Sequence, residues 1–472
     1  MRKAIRGVTF FIVTILLLYR TYDILRWKDT LGGYLSSTNQ MYSTDDGLMD
    51  VVFMGSSHCY CSIYPEVLWG EFGFAGFNMA ISGQDKQSTY YHLKEVLKTQ
   101  SPKVVCVELW GLTADTHAVQ GNLYRNMLSM DLSKNAVDLV KAYVEEDEQK
   151  DYLLRWPIIH TRYKELDMYD FVTMDLSEYG RGNEISYKIG SAYYPRKAAE
   201  CEEAGILTET NMAWLESLYD LSIEEEFQLV FFLAPTEITI ENQMQVNATR
   251  DFAKERGIVF FDFNKLKDAV GLDYNTDFSD ATHLNAYGAE KVTNYFGMYF
   301  SENCDIEDHR GEEAYYQWEQ AYTYFDHVTQ TKKLKESPTL EEYIARLKKM
   351  DDITYVFSFE GTYKDSTLNM RMAAKSLGLT KEQYEIGGTA ICIDGELEYV
   401  MDNQSKEVAI FEMNEYDSFK IQNMMLQDPG VTNLDDIMFN LEPLGEVGVY
   451  NGLNFYVYDN VQKKIIDKRG YY

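Results

Sequence analysis

Short, strongly apolar runs alternate with amphipathic helical stretches between residues 51 and 263, and this alternation leaves few folds open to the chain. The stretch QSTYYHLKEVLKTQ, for example, has Tyr90, Leu93 and Leu97 at helical spacing. The apolar runs are VVFM at 51–54, KVVCV at 103–107, FQLVFFL at 227–233 and IVFFDF at 258–263. Buried strands that alternate with helices predict a parallel α/β sheet.

The chain has 472 residues, more than one compact core usually supports, so at least two domains are predicted. The α/β pattern covers residues 48–305, and a mostly helical stretch at about 114–220 interrupts it. We expect this stretch to be an insertion that covers a site. Residues 306–350 are predicted to be a helical linker, and residues 351–472 a smaller domain that is α+β or mainly β.

Residues 1–28 have a different character from the acidic chain that follows. Three basic residues precede an apolar run from Gly7 to Tyr19, which is shorter than the roughly 20 residues of a spanning helix. Extension through Leu25 gives an uncleaved, single-pass membrane anchor, since no A-x-A-like cleavage site follows. The alternatives are a cleaved signal sequence, which would release a secreted protein, and a buried helix. We expect a cell-membrane protein with its bulk outside the cytoplasm.

The composition restricts the partners. The net charge of −31 arises from 75 acidic and 44 basic residues and argues against nucleic-acid binding, because phosphates would be repelled. The six cysteines form no CxxC pair, and the sequence contains neither GxGxxG nor a P-loop. Asp277, Asp280 and His283 lie close together without the spacing of a metal motif. No metal and no cofactor are expected.

Two motifs in the α/β region carry the residues of a serine hydrolase. Gly55-Ser56-Ser57 follows the first apolar run, and parallel sheets place their ligands at the carboxyl ends of strands. Asp280 and His283 stand three residues apart in the later loop DFSDATHLNAYG. A serine nucleophile needs an imidazole to take its proton, and the imidazole needs a carboxylate that fixes its tautomer. The residues alone leave open which serine is the nucleophile, and whether Gly-Ser-Ser is only a turn.

With these motifs, the sequence from about 48 to 300 resembles the SGNH (GDSL-type) hydrolases. GSSH is similar to their first block, DATH to their closing Asp-x-x-His block, and NMAISGQ to the block with the oxyanion glycine. The resemblance implies a flavodoxin-like sheet, with Ser57 as nucleophile, His283 as base and Asp280 as its partner. It also implies that the backbone N–H groups of Ser57 and Gly83 hold the oxyanion. The Gly-Ser-Ser start is closest to the membrane-anchored, DltD-like proteins of Gram-positive bacteria.

The sequence departs from that family at two positions. Ser56 stands where the family has aspartate, and VELWG ends the strand where the family has an oxyanion asparagine, so a third donor is unassigned. LLRWPIIHTRYKEL resembles a segment of the family's insertion, which makes His160 and Arg162 candidates for substrate contact. His58 is close enough in sequence to crowd the nucleophile, but it is expected to face away as a helix begins.

We therefore expect an extracytoplasmic serine acyl-esterase or O-acyltransferase that acts on acyl esters, with acetyl the expected group, of a cell-wall or exopolysaccharide glycan. The resemblance implies a membrane-bound O-acyltransferase (MBOAT) as a partner. The C-terminal part, from ITYVFSFEGTYKD to VYDNVQKKIID, resembles the lectin-like interleukin-like EMT-inducer (ILEI) domain and implies carbohydrate binding. The alternative is a non-catalytic glycan-binding or envelope assembly protein that keeps the SGNH scaffold.

Overall fold

The computed structural model describes residues 2–26, 34–113, 120–166, 168–171, 180–359, 367–422, 437–444 and 452–471. The chain divides into two compact units, Met1–Tyr322 and Thr323–Tyr472. The division falls inside one helix of the stretch 306–350, which was predicted to be a helical linker. Each unit is described by itself.

A five-stranded parallel sheet forms the centre of the first unit. Its strands are β1 (Val51–Met54), β2 (Gly76–Asn78), β3 (Val104–Glu108), β4 (Gln228–Leu233) and β5 (Val259–Asp262). Their order is β2-β1-β3-β4-β5, and every neighbouring pair is parallel. This is a doubly wound order, in which ligands bind outside the carboxyl ends of the strands where the order reverses, between β1 and β3. The predicted parallel α/β sheet is confirmed.

The described part of the first unit also contains helices, and the last of them ends in the second unit. They are α1 (Arg2–Leu25), α2 (Tyr34–Ser43), α3 (Ser57–Tyr60), α4 (Pro65–Phe72), α5 (Lys86–Val96), α6 (Trp110–Thr113), α7 (Gln120–Ser129), α8 (Lys134–Tyr143), α9 (Gln149–Leu154), α10 (Trp156–Ile159), α11 (Arg196–Ala199), α12 (Glu209–Glu224), α13 (Ile240–Arg256), α14 (Lys267–Val270), α15 (Ala286–Asn303) and α16 (Tyr316–Lys335). Short 3-10 segments cover His160–Lys164, Met168–Phe171 and Glu313–Tyr315.

Both faces of the sheet are buried, because alternate residues of each strand enter different cores. Val52 and Met54 of β1 join one core, which the apolar faces of α5 and α12 complete. Val51 and Phe53 join the core on the other face, which includes α4 and α15. Two covered faces explain why the strands are continuously apolar in the sequence.

The predicted insertion at about 114–220 is only partly separate from the sheet. Helices α7, α8 and α9 share a small core of their own. Helix α12 packs on the sheet instead, through Trp214, Leu215 and Leu218 at helical spacing, so the separate part ends before it. Residues 114–119, 167 and 172–179 of the predicted insertion lie outside the described residues.

The second unit has three layers. Its helices are α17 (Leu340–Leu347), α18 (Leu368–Ser376) and α19 (Lys381–Ile386), and its strands are β6 (Ile353–Phe359), β7 (Gly388–Ile393), β8 (Glu396–Asp402), β9 (Val408–Glu412), β10 (Ser418–Gln422), β11 (Ile437–Phe439), β12 (Glu442–Pro443), β13 (Leu453–Asp459) and β14 (Lys464–Tyr471). The sheets have the orders β14-β13-β6-β7-β8 and β12-β11-β10-β9, and both are antiparallel. Helices cover one face of the larger sheet, and the smaller sheet packs on the other.

Candidate active site

Ser57 lies at the carboxyl end of β1, in a tight turn into α3. Gly55 has φ +151°, and a Cβ at this position would stand 2.7 Å from Cβ of Glu108, so the turn requires glycine. The Ser56 side chain caps the helix and accepts the N–H of His58 at 3.4 Å. Ser57 is the first residue of the helix and is half-buried. The turn therefore buries the Ser56 side chain and leaves Ser57 accessible.

Asp280 and His283 reach Ser57 from a single turn. Asp280 Oδ1 accepts the backbone N–H groups of Thr282 at 2.9 Å and His283 at 3.0 Å. His283 Nδ1 lies 3.0 Å from Asp280 Oδ2, and its Nε2 lies 2.8 Å from Ser57 Oγ. A carboxylate on Nδ1 favours the tautomer with a free Nε2, which is the nitrogen that can take a proton from serine. The three predicted residues are in hydrogen-bond succession.

Asp280 is held as a carboxylate. Burial raises the pKa of its side chain, but the N–H of Thr282 and the ring of His283 outweigh that effect, and the pKa lies below its ordinary value. The side chains of Asp280 and His283 are 53% and 25% exposed, so this edge of the sheet is open to a large substrate.

Hydrogen bonds connect the loop that contains Gly83 to the turn that carries Ser57. Gln84 N–H donates to the carbonyl of Ile81 at 2.9 Å, and Gly83 sits in this turn with φ +65°. Gln84 Oε1 accepts the N–H of Gly55 at 3.0 Å, and Ile81 N–H donates to the carbonyl of Gly55 at 3.1 Å. Within the described part of the chain, neither Ser57 N–H nor Gly83 N–H donates to a protein acceptor. Both are available for an oxyanion.

Asn78 does not replace the missing oxyanion asparagine. Its Nδ2 donates to the carbonyls of Cys59 at 3.3 Å and Ile63 at 3.2 Å, and its Oδ1 accepts the N–H of Ala80 at 3.2 Å. The amide is fully buried and joins β2 to the residues around α3. Its role is structural.

A group of buried polar side chains, Ser56, His58 and Glu108, lies beneath Ser57 and was not predicted from the sequence. The expectation that His58 faces away was wrong. The ring of His58 does not face away: it lies 4.8 Å from the ring of His283 and stacks on Trp110 at 4.2 Å. Its Nδ1 lies 3.3 Å from Ser56 Oγ, which lies 3.4 Å from Glu108 Oε2. The ring turns inward because the capping bond from Ser56 to the His58 N–H fixes the first turn of the helix.

Burial favours the neutral forms of Glu108 and His58. It raises the pKa of Glu108 to about 8, although the N–H of Trp110 and the hydroxyl of Ser56 act in the opposite direction. It lowers the pKa of His58 to about 3, and the proximity of His283 acts in the same direction. The one signal in the sequence was the acidic residue that ends the apolar run VVCVE.

His160 and Arg162 are engaged elsewhere. Arg162 donates to the carbonyls of Ile24, Leu25 and Arg26 at the end of α1 and pairs with Asp170 at 2.5 Å. His160 is exposed, with Nδ1 2.8 Å from the carbonyl of Pro157. These bonds account for the guanidinium without a substrate, and substrate contact stays a prediction.

The six cysteines are free, and the described residues contain no cluster of side chains that could hold a metal ion.

Comparison with known proteins identifies no family. No family model matches the chain, and no curated protein matches it. Among solved structures, the chain is similar to one from Bacteroides fragilis that is provisionally described as an acylhydrolase. The two share 10% identity with a TM-score of 0.29, over 59% of this chain and 98% of the other.

Proposed function

We propose that this protein is an extracytoplasmic serine acyl-esterase or O-acyltransferase of the SGNH type. The observation that carries the proposal is the succession Ser57 Oγ, His283 Nε2 and Asp280 at the carboxyl edge of a doubly wound sheet. Two free N–H groups, of Ser57 and Gly83, support it.

The geometry supports a two-step reaction. Ser57 Oγ attacks the ester carbonyl while its proton passes to His283 Nε2, and Asp280 stabilises the resulting imidazolium. The N–H groups of Ser57 and Gly83 hold the oxyanion, a role worth about 3 to 4 kcal/mol for one donor. His283 then protonates the departing alcohol and leaves an acyl-Ser57. Water or a sugar hydroxyl attacks this ester in the second step, giving hydrolysis or transfer.

The proposed substrate is an acylated, most simply acetylated, glycan of the cell envelope. An open site suits a polymer, and a strongly acidic chain suits a neutral polysaccharide better than an anionic one. The ILEI-like pattern of the second unit favours glycan binding there, although residues 360–366, 423–436 and 445–451 within that pattern lie outside the described ones. The acyl donor would come from a membrane-bound O-acyltransferase.

The proposed location is the outer face of the cell membrane, with α1 as an uncleaved anchor. Its segment Ile5–Leu25 is apolar and 6% buried, and its 21 residues span about 30 Å as a helix. The last turn belongs to the folded unit: Leu25 is buried against Leu128 and Ile159, and Arg162 caps the end of the helix. A helix bound in this way is expected to be retained.

A serine-reactive fluorophosphonate tests the activity. The full chain in detergent should be labelled at Ser57, Ser57→Ala should not, and Ser301→Ala, which changes an exposed helix serine, should label normally. Acetyl release from an acetylated glycan, measured with and without a sugar acceptor, separates hydrolysis from transfer.

The second candidate is a non-catalytic glycan-binding or envelope assembly protein. Glu108 and Trp110, instead of an asparagine, stand at the end of β3 and favour it. An unlabelled parent chain that releases no acetate would establish this candidate and refute the enzyme.

A further inference from the structure

We infer that His58 is a positioning residue: its ring, backed by Trp110, supports the face of the His283 imidazole and keeps Nε2 directed at Ser57. The inference rests on the proposed function and assigns a role to the two positions where the sequence departs from the hydrolase pattern. Ser56 and the end of β3 meet at this ring.

Three rings lie in sequence behind the nucleophile. The Trp110 and His58 rings are stacked, with centroids 4.2 Å apart and planes at 24°. The His58 and His283 rings follow at 4.8 Å and 33°. Asp280 and Ser57 fix His283 in its own plane through the two ring nitrogens. These two hydrogen bonds lie in the plane of the His283 ring. The His58 ring, packed against one face, restricts tilting of the His283 ring out of that plane.

A chain of polar contacts holds His58 in turn. Glu108 Oε1 accepts the N–H of Trp110 at 2.9 Å. The Ser56 hydroxyl donates to Glu108 Oε2 at 3.4 Å, and His58 Nδ1 lies 3.3 Å from the same Ser56 Oγ. Both contacts are long, but the three side chains are buried, where polar contacts are stronger than in water.

The unpaired nitrogen of His58 argues against a role as core filler. His58 is 4% exposed, and its Nε2 is buried without a hydrogen-bond partner among the described residues. A phenyl ring would fill the same space without leaving a polar atom unsatisfied. The contact of Nδ1 with Ser56 explains the imidazole, because it adds to the hold on a ring whose stacked face supports His283.

The test compares two replacements at position 58 by the rate of fluorophosphonate inactivation and by kcat and KM on p-nitrophenyl acetate, with full-length protein in detergent. His58→Phe keeps a stacked ring and should lose roughly 3- to 5-fold in rate. His58→Ala removes it and should lose roughly 30- to 100-fold in kcat with KM unchanged, because a small misplacement of a catalytic group has effects of this size. Trp110→Leu, at a partly exposed position, should lose rate by a factor between those of the two His58 variants. It replaces His58→Ala in the test if that variant does not fold.

The outcomes separate this inference from the proposed function. No labelling of the parent at Ser57 would refute the function and, with it, the inference. If the parent is labelled and His58→Ala is inactivated at the same rate, the positioning role alone is refuted. Where His58→Ala is unfolded, a Trp110→Leu variant that is inactivated as fast as the parent refutes it. His58→Phe as slow as His58→Ala would also refute it, because a ring nitrogen and not the stacked face would then be required.

Discussion

Replacing Glu108 by glutamine should make the first unit less sensitive to alkaline pH. The carboxyl is buried at the end of β3, and burial raises its pKa from 4.5 to about 8. The folded state therefore binds more protons than the unfolded state between these values, and stability falls as pH rises through this window. The shift corresponds to about 5 kcal/mol at 1.36 kcal/mol per pKa unit. Glutamine carries no charge at any pH, and its side-chain oxygen can still accept a hydrogen bond.

Thermal unfolding of the full chain, followed by tryptophan fluorescence from pH 5 to pH 8.5, measures this effect. All six tryptophans precede residue 323, so the signal reports the first unit. Glu108→Gln should match the parent near pH 5 and exceed its Tm at pH 8.5 by roughly 10 °C, since 1 kcal/mol is worth about 2 °C in a unit of this size.

Two further variants calibrate the result. Burial also raises the pKa of Glu66, to about 7. The Tm of Glu108→Gln should therefore still fall with pH, but less steeply than that of the parent, and adding Glu66→Gln should reduce the slope further. Glu255→Gln, at an exposed side chain, should follow the parent at every pH. If Glu108→Gln and the parent lose Tm in parallel from pH 5 to 8.5, Glu108 is not held neutral by the fold.

Three other substitutions have defined outcomes. Asp280→Asn should slow fluorophosphonate labelling of Ser57 by about 10⁴-fold with Tm unchanged, because an amide favours the wrong tautomer of the base; unchanged labelling would contradict the assigned partner. Gly83→Ala forces φ +65° on a residue with a Cβ, which costs about 1 to 2 kcal/mol; we expect Tm to fall by a few degrees, and an unchanged Tm would contradict the left-handed conformation of this residue. Leu25→Ala should weaken the contact with Leu128 by about 2 to 5 kcal/mol and speed tryptic cleavage after Arg26, and an unchanged digest would mean that α1 is not docked.

The strands β1, β3 and β4 were predictable, because they are buried on both faces and therefore read as apolar runs. Asp280 and His283 were also predictable as a pair, since three residues of spacing let one turn present both side chains. The strand β2 is only three residues long, and its place at the edge of the sheet beside β1 depends on pairing that no local pattern encodes.

The group beneath Ser57 was not predictable for the same reason. Glu108 and Ser56 are 52 residues apart, and they meet only because β3 is the neighbour of β1. The contact of His58 with His283 was not predictable either, since the ring of His58 lies against Ser56 and Trp110, and Trp110 is distant in the sequence. Local residue types are visible in a sequence, whereas the register that brings them together is a property of the sheet.

The separation of Ser57 from its base has a consequence for biosynthesis. The serine and the imidazole that activates it are 226 residues apart, so the nucleophile leaves the ribosome long before its base. At 5 to 20 residues per second, this delay is about 10 to 45 s. During that interval the serine has the weak nucleophilicity of a free hydroxyl. On the proposed function, a nascent chain therefore does not react with acyl esters until His283 has been made and the sheet has closed.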